Sequence, residues 1–117
     1  MQAIAEAVAL GEKAGLERNR LLDVLSQTAV VAPAHVGKLQ RAMQSDYSPQ
    51  FPIRLMNKDF GLIFDLANAV GARMPAAGAA FEINSRQSDE GPEQDFSAVI
   101  LQMEKRAHLG SSSNRRT

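Results

Sequence analysis

An all-α domain of about six helices is the fold this sequence predicts, and three observations carry the prediction. Apolar residues recur at helical spacing from the first residues to about Leu109. Runs of alternating β-branched and polar residues are almost absent. Glycine or proline stands at most junctions between the periodic segments, as at Gly15, Pro33, Pro52, Gly71 and Pro75.

The first helix is read from Ala3, Ala7, Leu10 and Ala14, with Ile4, Val8 and Gly11 beside them, as one buried stripe on a small-residue helix. Gly15 is placed to end it in the left-handed conformation. The stretch LERNRLLDVLSQT supplies a second helix with Leu21, Leu22 and Leu25 on its inner side. Pro33 suits the first turn of a third, running to about Asp46, because its missing N–H would be unpaired there anyway. SDYSPQFP, residues 45–52, is a loop closed by two prolines.

A fourth helix runs from about Ile53 to Val70 with Met56, Phe60, Ile63, Ala67 and Val70 on one face, and GAR at 71–73 ends it. Met74 and Pro75 open a fifth, alanine-rich helix to about Gln87. SDEGPEQD is a polar connection, and Asp95 is the N-cap of a sixth helix holding Phe96, Val99, Ile100 and Met103. GSSSNRRT, residues 110–117, has nothing to bury and reads as a disordered tail after a domain spanning 1–109.

At 117 residues the chain is one ordinary domain, large enough to bury a core without staples. Lys plus Arg and Asp plus Glu both count 13, so the charge balance gives no reason to expect nucleic acid or an anionic membrane as partner. The absence of cysteine excludes disulfides, thiolate metal sites and a cysteine nucleophile. No apolar run reaches membrane-spanning length and no signal peptide opens the chain, so the expected location is cytoplasmic.

Two readings of Met1 stay open. The apolar pattern is already in register at Ala3 with no capping side chain before it, as in a helix cut in its middle; a true start with a frayed first turn gives the same pattern. A severed helix would expose Ile4 and Val8, and self-association would cover them.

Chemistry concentrates in FPIRLMNKDFGLIFD, residues 51–65. Lys58, Gly61, Leu62 and Asp65 share one helix face, while Met56, Phe60, Ile63 and Ala67 occupy another. A glycine inside a helix costs roughly 1 kcal/mol relative to alanine, so Gly61 suggests close approach of a ligand or of a neighbouring helix. His35 and His108 have no metal-ligand spacing to acidic residues, and Ser26, Ser45 and Ser48 have no nucleophile-elbow context.

KDFGLIFD resembles the K-D-L-G-L-A-x-D motif of the 3-hydroxyisobutyrate dehydrogenase and tartronate semialdehyde reductase family, the β-hydroxyacid dehydrogenases, departing at Phe60 and Ile63. EAVALGEKAGLERNRLLDVLSQ, DYSPQFPIRLMNKDF, VGARMPAAGAAFEI and DFSAVILQME resemble successive parts of that family's carboxy-terminal helical domain, which is like the carboxy-terminal domain of 6-phosphogluconate dehydrogenase. The resemblance implies NAD or NADP as cofactor and a small hydroxy acid as substrate. It implies that Lys58 lies toward the cofactor, that Phe51 borders the substrate pocket, and that Asp59 orders the substrate site. Asp65 closes the motif.

The 117 residues contain neither a G-x-G-x-x-G turn for a pyrophosphate nor the G-x-G-x-x-x-K-x-x-N segment that bears the family's catalytic lysine. Lys13 is not that lysine; it stands near the end of the first helix, where the helix dipole favours a cation. No catalytic residue is therefore assigned within the chain. Two functions are expected from this. One is a truncated carboxy-terminal domain of an NAD(P)-dependent β-hydroxyacid dehydrogenase, inactive without a Rossmann half. The other is a standalone helical dimerisation or interaction module. The partner is correspondingly a second copy or a complementary Rossmann-domain chain.

Overall fold

The computed structural model describes residues 1–109, so the expectation for residues 110–117 lies outside the described residues. Among the described residues six α-helices follow in order: α1 Gln2–Lys13, α2 Arg18–Ser26, α3 Pro33–Met43, α4 Ile53–Val70, α5 Pro75–Glu90 and α6 Val99–Arg106. A 3-10 turn, Phe96–Ala98, leads directly into α6. Among the described residues there is no strand, and the nearest approach to one is an isolated antiparallel bridge between Pro52 and Asp95.

Local chemistry explains the helix ends. α1 stops at Gly15, whose φ of +105° places it in the left-handed region. The Gly15 N–H then donates to the Glu12 carbonyl and the Leu16 N–H to the Gly11 carbonyl, 3.0 and 2.9 Å. α2 starts on the Glu17 carboxylate, which accepts from the Asn19 and Arg20 amides at 3.1 and 2.7 Å. Pro33 stands in the first turn of α3 as expected. That helix ends at Met43, short of Asp46, because Ser45 turns left-handed with φ +54° and the Asp46 N–H closes back on the Arg41 carbonyl at 2.9 Å. α5 runs past Gln87 to Glu90, since the buried Gln87 side chain donates to Gln94 and accepts from Gln102.

The core is shared by all six helices, with Val8, Leu22, Leu39, Val99 and Ile100 wholly enclosed and α4 contributing Ile53 from its first turn. α1 lies between α6 and α2, α2 packs on α3, and α5 joins α6 to α4.

The face of α1 differs from the expected one. Ala5, Val8, Ala9 and Glu12 are buried, whereas Ala3, Ala7 and Ala14 are exposed and Leu10 is 73% exposed. A helix this rich in alanine is apolar nearly all round, so the packing of α2 and α6, not periodicity, selects its inner side. Val8 is consequently covered completely and Ile4 is packed against the core, overturning the expectation that both would be exposed.

α4 has the expected bounds, closed by Gly71 at φ +75°. Its inner side holds Ile53, Met56, Phe60, Phe64 and Ala67. Ile63 and Val70, expected inside, are exposed, Val70 by 70%. The aromatic rings decide this: Phe60, Phe64 of α4 and Phe81 of α5 form one cluster with ring centroids 5.4–5.9 Å apart, which turns Phe64 inward in place of Ile63. No helix among the described residues is long and apolar enough to cross a membrane.

Candidate functional site

The loop that enters α4 pairs with the 94–96 segment through Asp95 N–H to the Tyr47 carbonyl, Phe96 N–H to the Phe51 carbonyl and Ile53 N–H to the Gln94 carbonyl, at 2.8–3.1 Å, and two prolines deprive it of further donors. A buried carboxylate ties it down as well. Asp95, 2% exposed, sits just before the 3-10 turn. Its Oδ1 accepts from the amides of Gln50 and Phe51 at 3.1 and 3.0 Å, and its Oδ2 accepts from the Ser97 amide at 3.1 Å. The buried Lys38 ammonium of α3 donates to both oxygens, at 2.9 and 2.8 Å. Burial alone would raise the Asp95 carboxyl; the bonds from Lys38, Phe51 and Ser97 outweigh it and hold the group at about 2.

Aromatic contacts extend this cluster. The Lys38 ammonium lies 4.3 Å from the centre of the Phe96 ring. Phe51 meets Phe96 edge-on with centroids 6.2 Å apart, and His35 meets it from α3 at 6.0 Å. Burial, and after it the positive charges of the amino terminus and Lys38, lower the His35 imidazole below its ordinary value. An open cavity of about 210 Å³ adjoins the rings, lined by Met1, Gln2, His35, Met56, Phe60 and Phe96 among others.

Phe51 is thus half-buried on a fixed backbone, while Lys58 and Asp59 are exposed on α4. Successive helical residues diverge by about 100°, so Lys58 and Asp59 leave the exposed surface of α4 in different directions. Among the described residues neither side chain makes a hydrogen bond or ion pair. A Cβ on Gly61 would meet no atom within 4 Å, so among the described residues no neighbouring helix makes the close approach the glycine suggests. Lys58, Leu62 and Asp65 form an exposed stripe beside it.

Lys38 escaped the sequence reading. Its only signal is position: it precedes Leu39 on the inner side of α3, where a lysine needs a carboxylate. Asp95 was legible as a cap, and it does accept from Ser97, but its tie to a lysine 57 residues away was not. A second buried node, Arg18 bonded to Glu104, the Ala42 carbonyl and the Tyr47 hydroxyl at 2.7–2.8 Å, has these donors committed within the protein. Among the described residues no group of three His, Cys, Asp or Glu side chains could hold a metal ion.

Comparison with known proteins gives a consistent picture. The family described as NAD-binding of NADP-dependent 3-hydroxyisobutyrate dehydrogenase matches residues 1–103. The chloroplastic glyoxylate/succinic semialdehyde reductase 2 of Arabidopsis thaliana is 38% identical over 101 residues, covering 86% of this chain and 28% of that protein. A probable 3-hydroxyisobutyrate dehydrogenase of Mycobacterium bovis is 36% identical over 114 residues, 90% of this chain and 38% of that one. Among solved structures, 3-hydroxyisobutyrate dehydrogenase from Salmonella typhimurium superposes with a TM-score of 0.74 at 32% identity, over 84% of this chain and 35% of that chain. The chain therefore spans between 28% and 38% of the length of these proteins.

Proposed function

The chain belongs to the 3-hydroxyisobutyrate dehydrogenase family, and from that premise we propose that it is the helical, substrate-facing domain of an NAD(P)-dependent oxidoreductase acting on a small β-hydroxy acid. One observation carries the reading: α4 holds Lys58 unpaired on its outer surface beside the uncovered backbone of Gly61, and the anchored Phe51 stands at the start of the same helix.

These residues fit one edge of a dinucleotide. An unpaired ammonium attracts a phosphate or an amide oxygen, and a helix turn without a Cβ lets the ligand approach closely. The pyrophosphate finds no Gly-rich turn among the 117 residues, so this reading gives its binding to a Rossmann half, together with the acid-base lysine. When bound, NAD(P) accepts or returns the hydride exchanged with the hydroxyl-bearing carbon of the substrate. In this reading Lys58 orients the cofactor, Phe51 excludes water from one wall of the pocket, and Asp59 is held for the substrate side. The domain is inactive alone and works in the cytoplasm. The substrate's remaining contacts come from the Rossmann half.

Calorimetric titration of NADH and NADPH into the 117-residue chain, alone and with a Rossmann half from a relative, tests this. Binding and hydroxy-acid oxidation are expected in the mixture only. A mixture that associates yet neither binds cofactor nor oxidises any hydroxy acid would reject it.

A second reading, a helical self-association module, is favoured by the apolar outer surface of α4, where Leu66 is 66% exposed and Leu62, Ile63 and Val70 are exposed around it.

A further inference from the structure

We infer that Lys38 and Asp95 are positioning residues for Phe51, setting both its backbone and its ring; the consequence for substrate rests on the functional reading above. Asp95 Oδ1 accepts from Gln50 N, Phe51 N and Lys38 Nζ, while Oδ2 accepts from Lys38 Nζ and Ser97 N. Three chain segments, α3, the loop before α4 and the 3-10 turn, therefore meet at a single carboxylate.

Lys38 acts on Phe51 by two routes. Through Asp95 it fixes the Phe51 amide, because a carboxylate this buried keeps its charge only with a cation beside it. Through the face of Phe96, 4.3 Å away, it fixes the ring on which Phe51 rests edge-on. The Phe96 amide closes the circuit by donating to the Phe51 carbonyl at 3.1 Å. The Lys38 side chain is 8% exposed and its donors are directed to Asp95 and, more weakly at 3.4 Å, Gln50, so it acts through Phe51 rather than on a ligand. Its effect should fall on substrate binding and leave the cofactor side at Lys58 untouched.

Lys38→Met tests this in the full chain. Amide hydrogen exchange followed by NMR should show Gln50 and Phe51 exchanging at least about tenfold faster, while amides in α2 and α6 keep their protection. If exchange rises everywhere, the variant has lost the fold, and the neutral pair Lys38→Met with Asp95→Asn, which leaves no buried charge unpaired, replaces it. Unchanged protection at Gln50 and Phe51 in whichever variant folds overturns the positioning role. In the mixture with a Rossmann half, the same variant should raise KM for the hydroxy acid about tenfold with kcat and cofactor affinity within about twofold. Released Phe51 with an unchanged KM would remove Phe51 from the substrate wall. A wild-type mixture that associates yet neither binds cofactor nor oxidises any hydroxy acid would defeat the functional reading, while the exchange experiment would still decide the role of Lys38.

Discussion

A carboxylate buried as deeply as Asp95 keeps its charge only because three amides and an ammonium point at it. Its folded value, about 2, lies below the ordinary aspartate value of about 3.9. The stabilisation it gives is therefore complete above about pH 4 and disappears as the pH falls through about 2. The Phe51 amide should accordingly keep its exchange protection at pH 5 and lose it in strong acid, before the amides of α2 do; loss of protection near pH 5 would show that another group holds the loop. The single residues differed in legibility. Asp95 could be read as a cap because a cap is local. Lys38 could not, because nothing in the neighbourhood of a lysine reveals a partner 57 residues on.

α4 is the element on which the functional reading turns, and Gly61 is its diagnostic position. The site has room for a methyl group, and the residue sits inside a helix with no positive φ. Gly61→Ala should therefore stabilise the chain alone by up to about 1 kcal/mol, seen as a higher Tm by circular dichroism. The same substitution should weaken cofactor binding in the mixture, because the methyl group would occupy the approach beside Lys58. A stabilised variant with undiminished binding would leave the glycine without a role at the cofactor. The bounds of α4 were legible because Pro52 and Gly71 punctuate them chemically. Its inner face was misread at Ile63 and Val70 because Phe64 is as apolar as Ile63, and only the Phe81 ring on α5 chooses between them. The same ambiguity misled the reading of α1, where alanines on both sides satisfy a helical period.

At the scale of the molecule, the described residues cover α1 with α2 and α6 but leave one long side of α4 facing solvent. Leu62, Ile63, Leu66 and Val70 are exposed there together, and on the self-association reading proposed above a second copy covers them. Leu66→Lys should leave the helical circular dichroism unchanged and shift the sedimenting species toward monomer at micromolar concentration. Continued self-association of a folded Leu66→Lys chain would place the contact elsewhere. What the sequence determined by itself is whatever depends on neighbours along the chain: the helical class, the turns at Gly15, Gly71 and Pro33, the cap at Asp95, and the motif at 58–65 that marks the family. The tertiary structure alone decided which side of α1 is buried, which rings turn α4, and that Lys38 and Asp95 hold Phe51. Helical periodicity leaves open which of two apolar sides will meet a partner, and a buried charge finds its counterion only when distant segments pack together.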